Sequence, residues 1–164
     1  MNWLFGDNIN TDLITPGRYN ITTDPVKLAS IAFIEYRPEF HRNVKKGDFI
    51  VAGENFGCGS SRETAAISLK HCHVSAVLAK SFARIFYRNS LNIGLLLVNV
   101  DTERIKEHDR LILDIENQTL INETREIIEK ITIPAMMLRL NREGGIIPYL
   151  QKHGLDGLSD LERF

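Results

Sequence analysis

Short apolar runs recur through the first hundred residues of the chain. In chain order they are NWLFG, DFIVAG, SAVLAK and GLLLVNV. Each run has the length of a strand and is flanked by polar residues or by glycine, so we expect four strands. The polar segment DNINTDLITPGRYNITTDP, which follows the first run, is expected to be a loop.

Helical spacing appears between these strands. Asp24 followed by Pro25 is typical of a helix N-terminus, and apolar residues at helical spacing extend this helix to about Glu35. A second, short helix is predicted around residues 82–88. Strands that alternate with helices in this way favour an α/β fold.

The second half of the chain has a different pattern. The segment RLILDIENQTLINETREIIEKI alternates apolar and polar residues, and Asn117-Gln118 within it is a turn signal. A hairpin or a meander of antiparallel strands fits this segment best. A last helix is predicted from Pro134 to about Glu143, where Gly144-Gly145 would end it. We therefore predict one α/β domain over residues 1–164, with a mixed β-sheet and flanking helices.

Composition narrows the classes of function. The chain has 20 basic and 21 acidic side chains and a net charge of −1, which argues against a nucleic-acid or an anionic-membrane partner. No apolar run approaches the ~20 residues of a membrane-spanning helix, and the N-terminus does not resemble a signal peptide. Two cysteines, Cys58 and Cys72, indicate a reducing compartment, so we expect the protein to be cytoplasmic.

The segment GENFGCGSSRET, residues 53–64, has two interpretations. In the first, Ser60 and Glu63 form an S-x-x-E capping box, and a helix follows whose buried face would comprise Ala65, Ala66, Leu69 and Cys72. This interpretation needs no ligand, because capping boxes are common.

The second interpretation is an anion site at the same helix terminus. The helix would begin after the carboxyl end of a strand, where α/β sheets place ligands, and its positive end favours an anion. Gly57 and Gly59 would let the backbone approach a ligand, and Arg62 offers a planar fork for a carboxylate or phosphate. The segment matches neither nucleotide-binding glycine pattern, so a nucleotide site is not supported.

A family resemblance favours the second interpretation. The segments FGDNINTDLITPGRY, GENFGCGSSRETAA and SFARIFYRNSLNIGLLLV, with YLQKHG near the end, resemble the small subunits of isopropylmalate isomerases in order and spacing. Those subunits are similar to the swivelling C-terminal domain of aconitases, which implies an α/β fold with a mixed or barrel-like sheet core. The resemblance implies interconversion of 2- and 3-isopropylmalate through 2-isopropylmaleate, in leucine biosynthesis.

The resemblance also implies roles for individual residues. Ser60 matches the base that removes a proton next to a substrate carboxylate, and Ser61 and Arg62 match residues that bind that carboxylate. Gly59 would add a backbone contact, and Asp12 matches an acidic position near the site. Clustered amides and a guanidinium are what a serine needs to act as a base.

Substrate choice is expected to depend on the loop GRYNITTDP. Homoaconitase-type members resemble YLRTTDP there, and the arginine of that pattern falls on Ile21. An isoleucine offers apolar surface where homocitrate would need a partner for its extra carboxylate, so isopropylmalate is favoured. Small subunits of homoaconitase or of a citraconate-type hydratase, including dual specificity, remain alternatives, as does a non-catalytic anion-binding module.

The cysteine count bears on the cofactor and the partner that the resemblance implies. An iron–sulfur cluster is ordinarily held by three or four thiolates, and this chain has two cysteines. The resemblance implies that a separate large subunit holds the cluster and that this chain is active only with it; association of several copies of this chain is left open. Arg84 and Arg88 lie four residues apart, and solvated or interface roles are favoured over substrate contact.

Overall fold

The computed structural model of the protein describes residues 1–162. The strands are β1 (Asn2–Leu4), β2 (Phe49–Ala52), β3 (Ala76–Ala79), β4 (Leu97–Asn99), β5 (Leu111–Asp114), β6 (Thr119–Asn122) and β7 (Ile127–Lys130). The helices are α1 (Thr11–Ile14), α2 (Pro25–Ser30), α3 (Pro38–Asn43), α4 (Thr64–His71), α5 (Arg84–Ile93), α6 (Ala135–Glu143), α7 (Ile146–His153) and α8 (Leu158–Glu162). Short 3₁₀ turns occupy Gly17–Tyr19 and Leu155–Gly157.

The four strands predicted in the first hundred residues form a parallel sheet in the order β1-β2-β3-β4. The central strands read FIVA and AVLA, and every residue in them is buried. Continuous apolar strands of this kind are typical of a parallel sheet that is covered on both faces. Helix α4 connects β2 to β3, and α5 connects β3 to β4, so both helices begin at the carboxyl ends of strands.

The antiparallel prediction for the second half is also confirmed. Strands β5, β6 and β7 form a meander, and Gln118 takes a left-handed φ of 52° in its first turn. The α/β class is thus correct, but the strands form two separate sheets instead of one mixed sheet. Leu120 of β6 nevertheless belongs to the same buried cluster as the strands of the parallel sheet.

Some helix boundaries differ from the prediction. Asp24 caps α2 as expected, its Oδ1 accepting from the amide of Val26 at 2.9 Å. The helix ends at Ser30, well before Glu35, and Phe33 beyond it has a left-handed φ of 56°. The predicted loop after β1 contains α1, whose N-cap is Asn10. Helix α6 ends at Gly144 as predicted, but α7 and α8 follow it.

A buried carboxylate, that of Asp48, lies at the amino ends of the parallel strands. Asp48 accepts bonds from the Met1 ammonium at 2.8 Å, from Trp3 Nε1 at 2.9 Å and from the Lys45 amide at 3.0 Å. Burial raises the pKa of Asp48, but these hydrogen bonds outweigh burial and hold the pKa below its ordinary value. We call this region, with Ser75 before β3, the amino edge of the sheet.

Within residues 1–162, no helix combines the length and the hydrophobicity that a membrane span requires.

Candidate functional site

The loops that leave β1, β2 and β3 meet at the opposite edge of the parallel sheet, which we call the carboxyl edge. The middle loop, residues 53–63, is fixed on both sides. The amide of Gly57 donates to the Ile9 carbonyl at 2.7 Å, and the amide of Thr11 donates to the Cys58 carbonyl at 2.8 Å. On the other side, the amide of Ala83 donates to the Phe56 carbonyl at 2.9 Å. The glycine-rich segment is therefore a braced part of the fold.

The two glycines of this loop serve different purposes. Gly57 has a φ of 81°, and a Cβ atom there would lie 2.1 Å from Cγ of Phe86, so the ring of α5 fills the space. Gly59 has a φ of 99° and is exposed, and a Cβ atom there would come 3.3 Å from Thr11 Oγ1. Packing therefore explains Gly57, whereas Gly59 leaves backbone open beside Ser60.

Three of the predicted site residues are brought together. Ser60 Oγ accepts from Arg62 Nε at 3.1 Å and from the Arg62 amide at 3.3 Å. Arg62 Nη2 in turn donates to Asp12 Oδ1 at 3.2 Å. The side chains of Arg62 and Asp12 are 51% and 64% exposed, so this pair is open to exchange with a ligand.

The capping-box prediction is wrong. Helix α4 begins at Thr64, with Glu63 in the N-cap position and without a capping bond from its side chain. The Ser60 amide donates instead to Thr11 Oγ1 at 2.9 Å, and its hydroxyl faces Arg62. These two contacts hold Ser60 outside the first turn of the helix. The predicted apolar face of α4 is confirmed, since Ala65, Ala66, Leu69 and Cys72 are all buried.

The remaining predicted residues surround this core of the site. Ser61 is exposed, and its carbonyl accepts from Asn89 Nδ2 at 3.2 Å. Ile21 is 89% exposed and lines a shallow cleft that Arg62 also lines. Asn20 anchors this loop, because its Nδ2 donates to Thr64 Oγ1 at 2.9 Å. The loop of Ile21 is thus tied to the start of α4.

A larger cleft lies on the other side of Ser60. Its volume is about 670 Å³, and its lining comprises Asn55, Gly57, Gly59, Ser60, Phe82, Ala83, Arg84, Ile85 and Arg88. Sequence reasoning favoured solvated or interface roles for Arg84 and Arg88, and the structure places both in the lining of the same cleft as Ser60. It also singled out Asp12 and passed over Thr11 in the same NTD motif, although Thr11 holds the Ser60 amide.

The described residues do not fit an iron–sulfur cluster. Within residues 1–162, no group of three or more His, Cys, Asp or Glu side chains is arranged to hold a metal ion. Cys72 is buried at the end of α4, and burial raises the pKa of its thiol to about 12, whereas a metal ligand must be a thiolate. Cys58 lies in the loop before α4 and is the other free cysteine.

Comparison with known proteins identifies the family. The model of the aconitase C-terminal domain matches residues 5–103. The chain belongs to the aconitase C-terminal domain family. The matched range contains the carboxyl edge of the sheet and, with it, Asp12, Ser60 and Arg62. The antiparallel sheet lies beyond the part that the aconitase C-terminal domain model covers.

Individual relatives cover almost the whole chain. The chain is 52% identical over 149 residues to the 3-isopropylmalate dehydratase small subunit of Wolinella succinogenes, covering 90% of this chain and 89% of the relative. It is 45% identical over 152 residues to the methanogen homoaconitase small subunit of Methanocaldococcus jannaschii, covering 92% and 89%. A solved structure of 3-isopropylmalate dehydratase (leuD) from Methanocaldococcus jannaschii superposes with a TM-score of 0.89 at 42% identity, covering 97% of this chain and 96% of the other. Relatives with different names thus match this chain over about nine tenths of its length, and the solved 3-isopropylmalate dehydratase structure has the same fold.

Proposed function

We propose that this chain is the small subunit of a 3-isopropylmalate dehydratase, a hydro-lyase of leucine biosynthesis that acts with a large subunit. The observation that carries the proposal is the 52% identity to a small subunit of that name over nine tenths of both chains. The contact between Ser60 and Arg62 supports it, because it places a hydroxyl that can serve as the base 3.1 Å from a guanidinium that can bind a carboxylate.

In the proposed reaction, Ser60 Oγ takes a proton from the substrate carbon next to a carboxylate. The electron pair of that C–H bond becomes the second bond of the alkene, and the hydroxyl leaves the neighbouring carbon as water after it accepts a proton from an acid that the large subunit would supply. The reverse sequence, with the hydroxyl added at the other carbon, gives the isomer. A serine acts as a base only where its alkoxide is stabilised, and the Arg62 guanidinium, 3.1 Å from Oγ, favours that charged form.

In this proposal the other residues bind the substrate carboxylate or hold the binding residues in place. The Arg62 fork pairs with the carboxylate adjacent to the reacting carbon, where negative charge develops as the proton leaves. Ser61 and the open backbone at Gly59 add donors to the same carboxylate. Asp12 holds Arg62 in place through the contact of 3.2 Å. Thr11 fixes the Ser60 backbone, since its Oγ1 accepts the Ser60 amide bond at 2.9 Å.

The groups that assist departure of the hydroxyl belong, in this proposal, to the large subunit. We propose that the large subunit also holds the iron–sulfur cluster, because the residues described in this chain do not fit one. Isolated chain should then contain no stoichiometric iron when purified under anaerobic conditions.

The test is reconstitution with the large subunit of the same organism. The mixture should convert 3-isopropylmalate to 2-isopropylmalate, and neither subunit alone should do so. Homocitrate and citramalate assayed in parallel address the alternative hydratases. An anion-binding module would bind dicarboxylates without any turnover in the mixture, and that outcome would reject the enzymatic proposal.

A further inference from the structure

The cleft beside Ser60 contains two positive charges without a counter-charge. Arg84 and Arg88, both exposed, are among its lining residues, and no acidic residue is. Elsewhere in the described chain, arginines pair with carboxylates, as at Arg110–Glu123 and Arg125–Asp109. Neither Arg84 nor Arg88 has an ion pair or hydrogen bond from its side chain within residues 1–162. In a chain with a net charge of −1, this cleft is a local excess of positive charge.

Helix polarity increases that excess. Arg84 is the first residue of α5, a helix of 10 residues, and therefore lies at its positive end. The first turn contains no acidic residue, and the N-cap residue Ala83 supplies no side-chain bond. A cation at this end of a helix is unfavourable for the isolated chain, so the local sequence is not explained by the stability of α5.

The lining of the cleft is typical of a protein interface. Ile85 is 41% exposed between the two arginines in sequence, and Phe82 is half-buried next to them. Aromatic residues and arginine are enriched in the centres of protein interfaces. The volume of about 670 Å³ lies in the range that encloses a drug-sized ligand, which is much larger than a hydroxy-dicarboxylate.

We infer that Arg84, Ile85 and Arg88 form a docking surface for an acidic segment of the large subunit. The inference rests on the proposed function, in which a second chain completes the site at Ser60. A chain that brings reacting groups to Ser60 must also cover the cleft that Ser60 lines. Carboxylates of that chain would pair with both arginines and would offset the positive end of α5, while Ile85 would be buried against the partner.

The test is charge reversal at the docking surface. The double variant Arg84→Glu/Arg88→Glu is titrated with the large subunit by calorimetry, without substrate, at low and moderate salt. We expect Kd to rise at least tenfold at low salt, and we expect salt to weaken association of the wild type more than that of the variant. The matched control is Arg42→Glu, because Arg42 is exposed, has no ion pair among the described residues and precedes β2 at the amino edge. The control should keep the wild-type Kd.

Folding and catalysis are measured alongside. The melting temperature of the isolated double variant should equal or exceed that of the wild type, because an acidic residue suits the first turn of α5. At saturating large subunit, kcat and KM for isopropylmalate should be close to wild-type values. A milder variant, Arg84→Lys/Arg88→Lys, should fall between the two in Kd, since it keeps the charge but loses the planar fork.

The outcomes separate this inference from the proposed function. Association of the charge-reversed chain with unchanged Kd overturns the docking surface, and so does a raised KM with unchanged Kd, which would assign the arginines to substrate. A wild-type chain that does not bind the large subunit also overturns it. In a further outcome, the subunits bind and charge reversal raises their Kd, but the mixture does not convert isopropylmalate. That outcome supports the docking surface and shows that the proposed substrate is wrong.

Discussion

The burial and the hydrogen bonding of polar groups differ between the two edges of the parallel sheet. At the amino edge, the Asp48 side chain is 5% exposed and receives three hydrogen bonds, one of them from the chain's own ammonium. At the carboxyl edge, the hydrogen bonds of the Ser60 hydroxyl and the Arg62 guanidinium are 3.1 Å or longer, and Arg84 and Arg88 have no counter-charge within the described chain. Buried, fully bonded polar groups stabilise a fold, whereas exposed and incompletely bonded groups remain available to a ligand.

This difference predicts that stability and activity can be separated by substitution. Substitution of Ser60 or Arg62 at the carboxyl edge should lower activity and leave the melting temperature unchanged. Variants at the amino edge should lose stability and, while folded, keep their activity. A carboxyl-edge variant that unfolds the protein, or an amino-edge variant that removes turnover, would break the comparison.

The largest effect is expected for Ser60→Ala. Removal of a general base typically costs about 10²–10⁴-fold in rate, so kcat of the assembled enzyme should fall by that amount. Stability should change little, because the Ser60 hydroxyl contacts only the exposed Arg62 among the described residues and does not cap α4. Steady-state kinetics and thermal melting measure the two quantities.

The matched control for this variant is Ser75→Ala at the amino edge. Ser75 is exposed, and its Oγ donates to the Gly47 carbonyl at 3.0 Å. This variant should keep wild-type kcat. If Ser60→Ala keeps most of the wild-type activity, Ser60 is not the base.

Arg62→Lys should have the next largest effect. Lysine keeps the positive charge but cannot contact a carboxylate, Ser60 Oγ and Asp12 at once through a planar fork. We expect kcat/KM to fall about 10²-fold, equivalent to about 2.7 kcal/mol of transition-state stabilisation. The control Arg110→Lys changes an exposed arginine paired with Glu123 on the antiparallel sheet and should be neutral. Near-normal kinetics in Arg62→Lys would place Arg62 outside the carboxylate contact.

The strands were predictable because their apolar runs are continuous and short. FIVA and AVLA are buried throughout, so no periodicity had to be distinguished in them. The second half was predictable for a different reason, since alternation over β5–β7 gives each strand a core face and an outer face. How these strands divide into two sheets depends on long-range contacts such as that of Leu120 with the core, which local patterns do not contain.

The proximity of Ser60, Arg62 and Asp12 in the candidate site was predictable from the family resemblance, whereas the positions of the residues around them were less so. The capping box failed because S-x-x-E describes four residues, whereas Thr11, 49 positions earlier, binds the Ser60 amide and holds the serine outside the helix. The location of Arg84 and Arg88 in the same cleft as Ser60 could not be predicted, for the same reason. Their spacing predicts a shared helix face, but only the adjacency of β2 and β3 places that face beside Ser60.

At the amino edge, Asp48→Asn should destabilise the fold by about 2 kcal/mol. The substitution removes the charge that the Met1 ammonium and the other donors stabilise, and hydrogen bonds to a charged group contribute about 1.5–3 kcal/mol. Urea unfolding measures the free energy, and kcat of the assembled enzyme should be unchanged below the melting transition. Unfolding curves that coincide with those of the wild type would show that the pair of Asp48 and the Met1 ammonium contributes nothing to the free energy of unfolding.

Measuring the unfolding free energy of the same variant as a function of pH tests whether the charge of Asp48 is the cause. The pKa of Asp48 is lower in the folded chain than in the unfolded chain, so its contribution is fully present above the ordinary value near 3.8. The contribution is lost as the pH falls through the lower, folded value. The difference in unfolding free energy between wild type and Asp48→Asn should therefore shrink below about pH 4.

The smallest effect concerns Ile21, which lines the shallow cleft shared with Arg62 and can contact substrate only after assembly. An isopropyl group packed against Ile21 would gain about 1–3 kcal/mol, whereas an extra carboxylate there would be desolvated without a partner. Ile21→Arg supplies that partner and removes the apolar surface. We expect the ratio of kcat/KM for isopropylmalate over that for homocitrate to fall about tenfold, equivalent to about 1.4 kcal/mol. The control is Ile128→Arg, which places an arginine at an isoleucine of β7 that is 67% exposed, and it should leave the ratio unchanged. An equal ratio in wild type and Ile21→Arg would remove Ile21 from substrate choice and leave the loop with a structural role, since Asn20 already ties it to Thr64 at the start of α4.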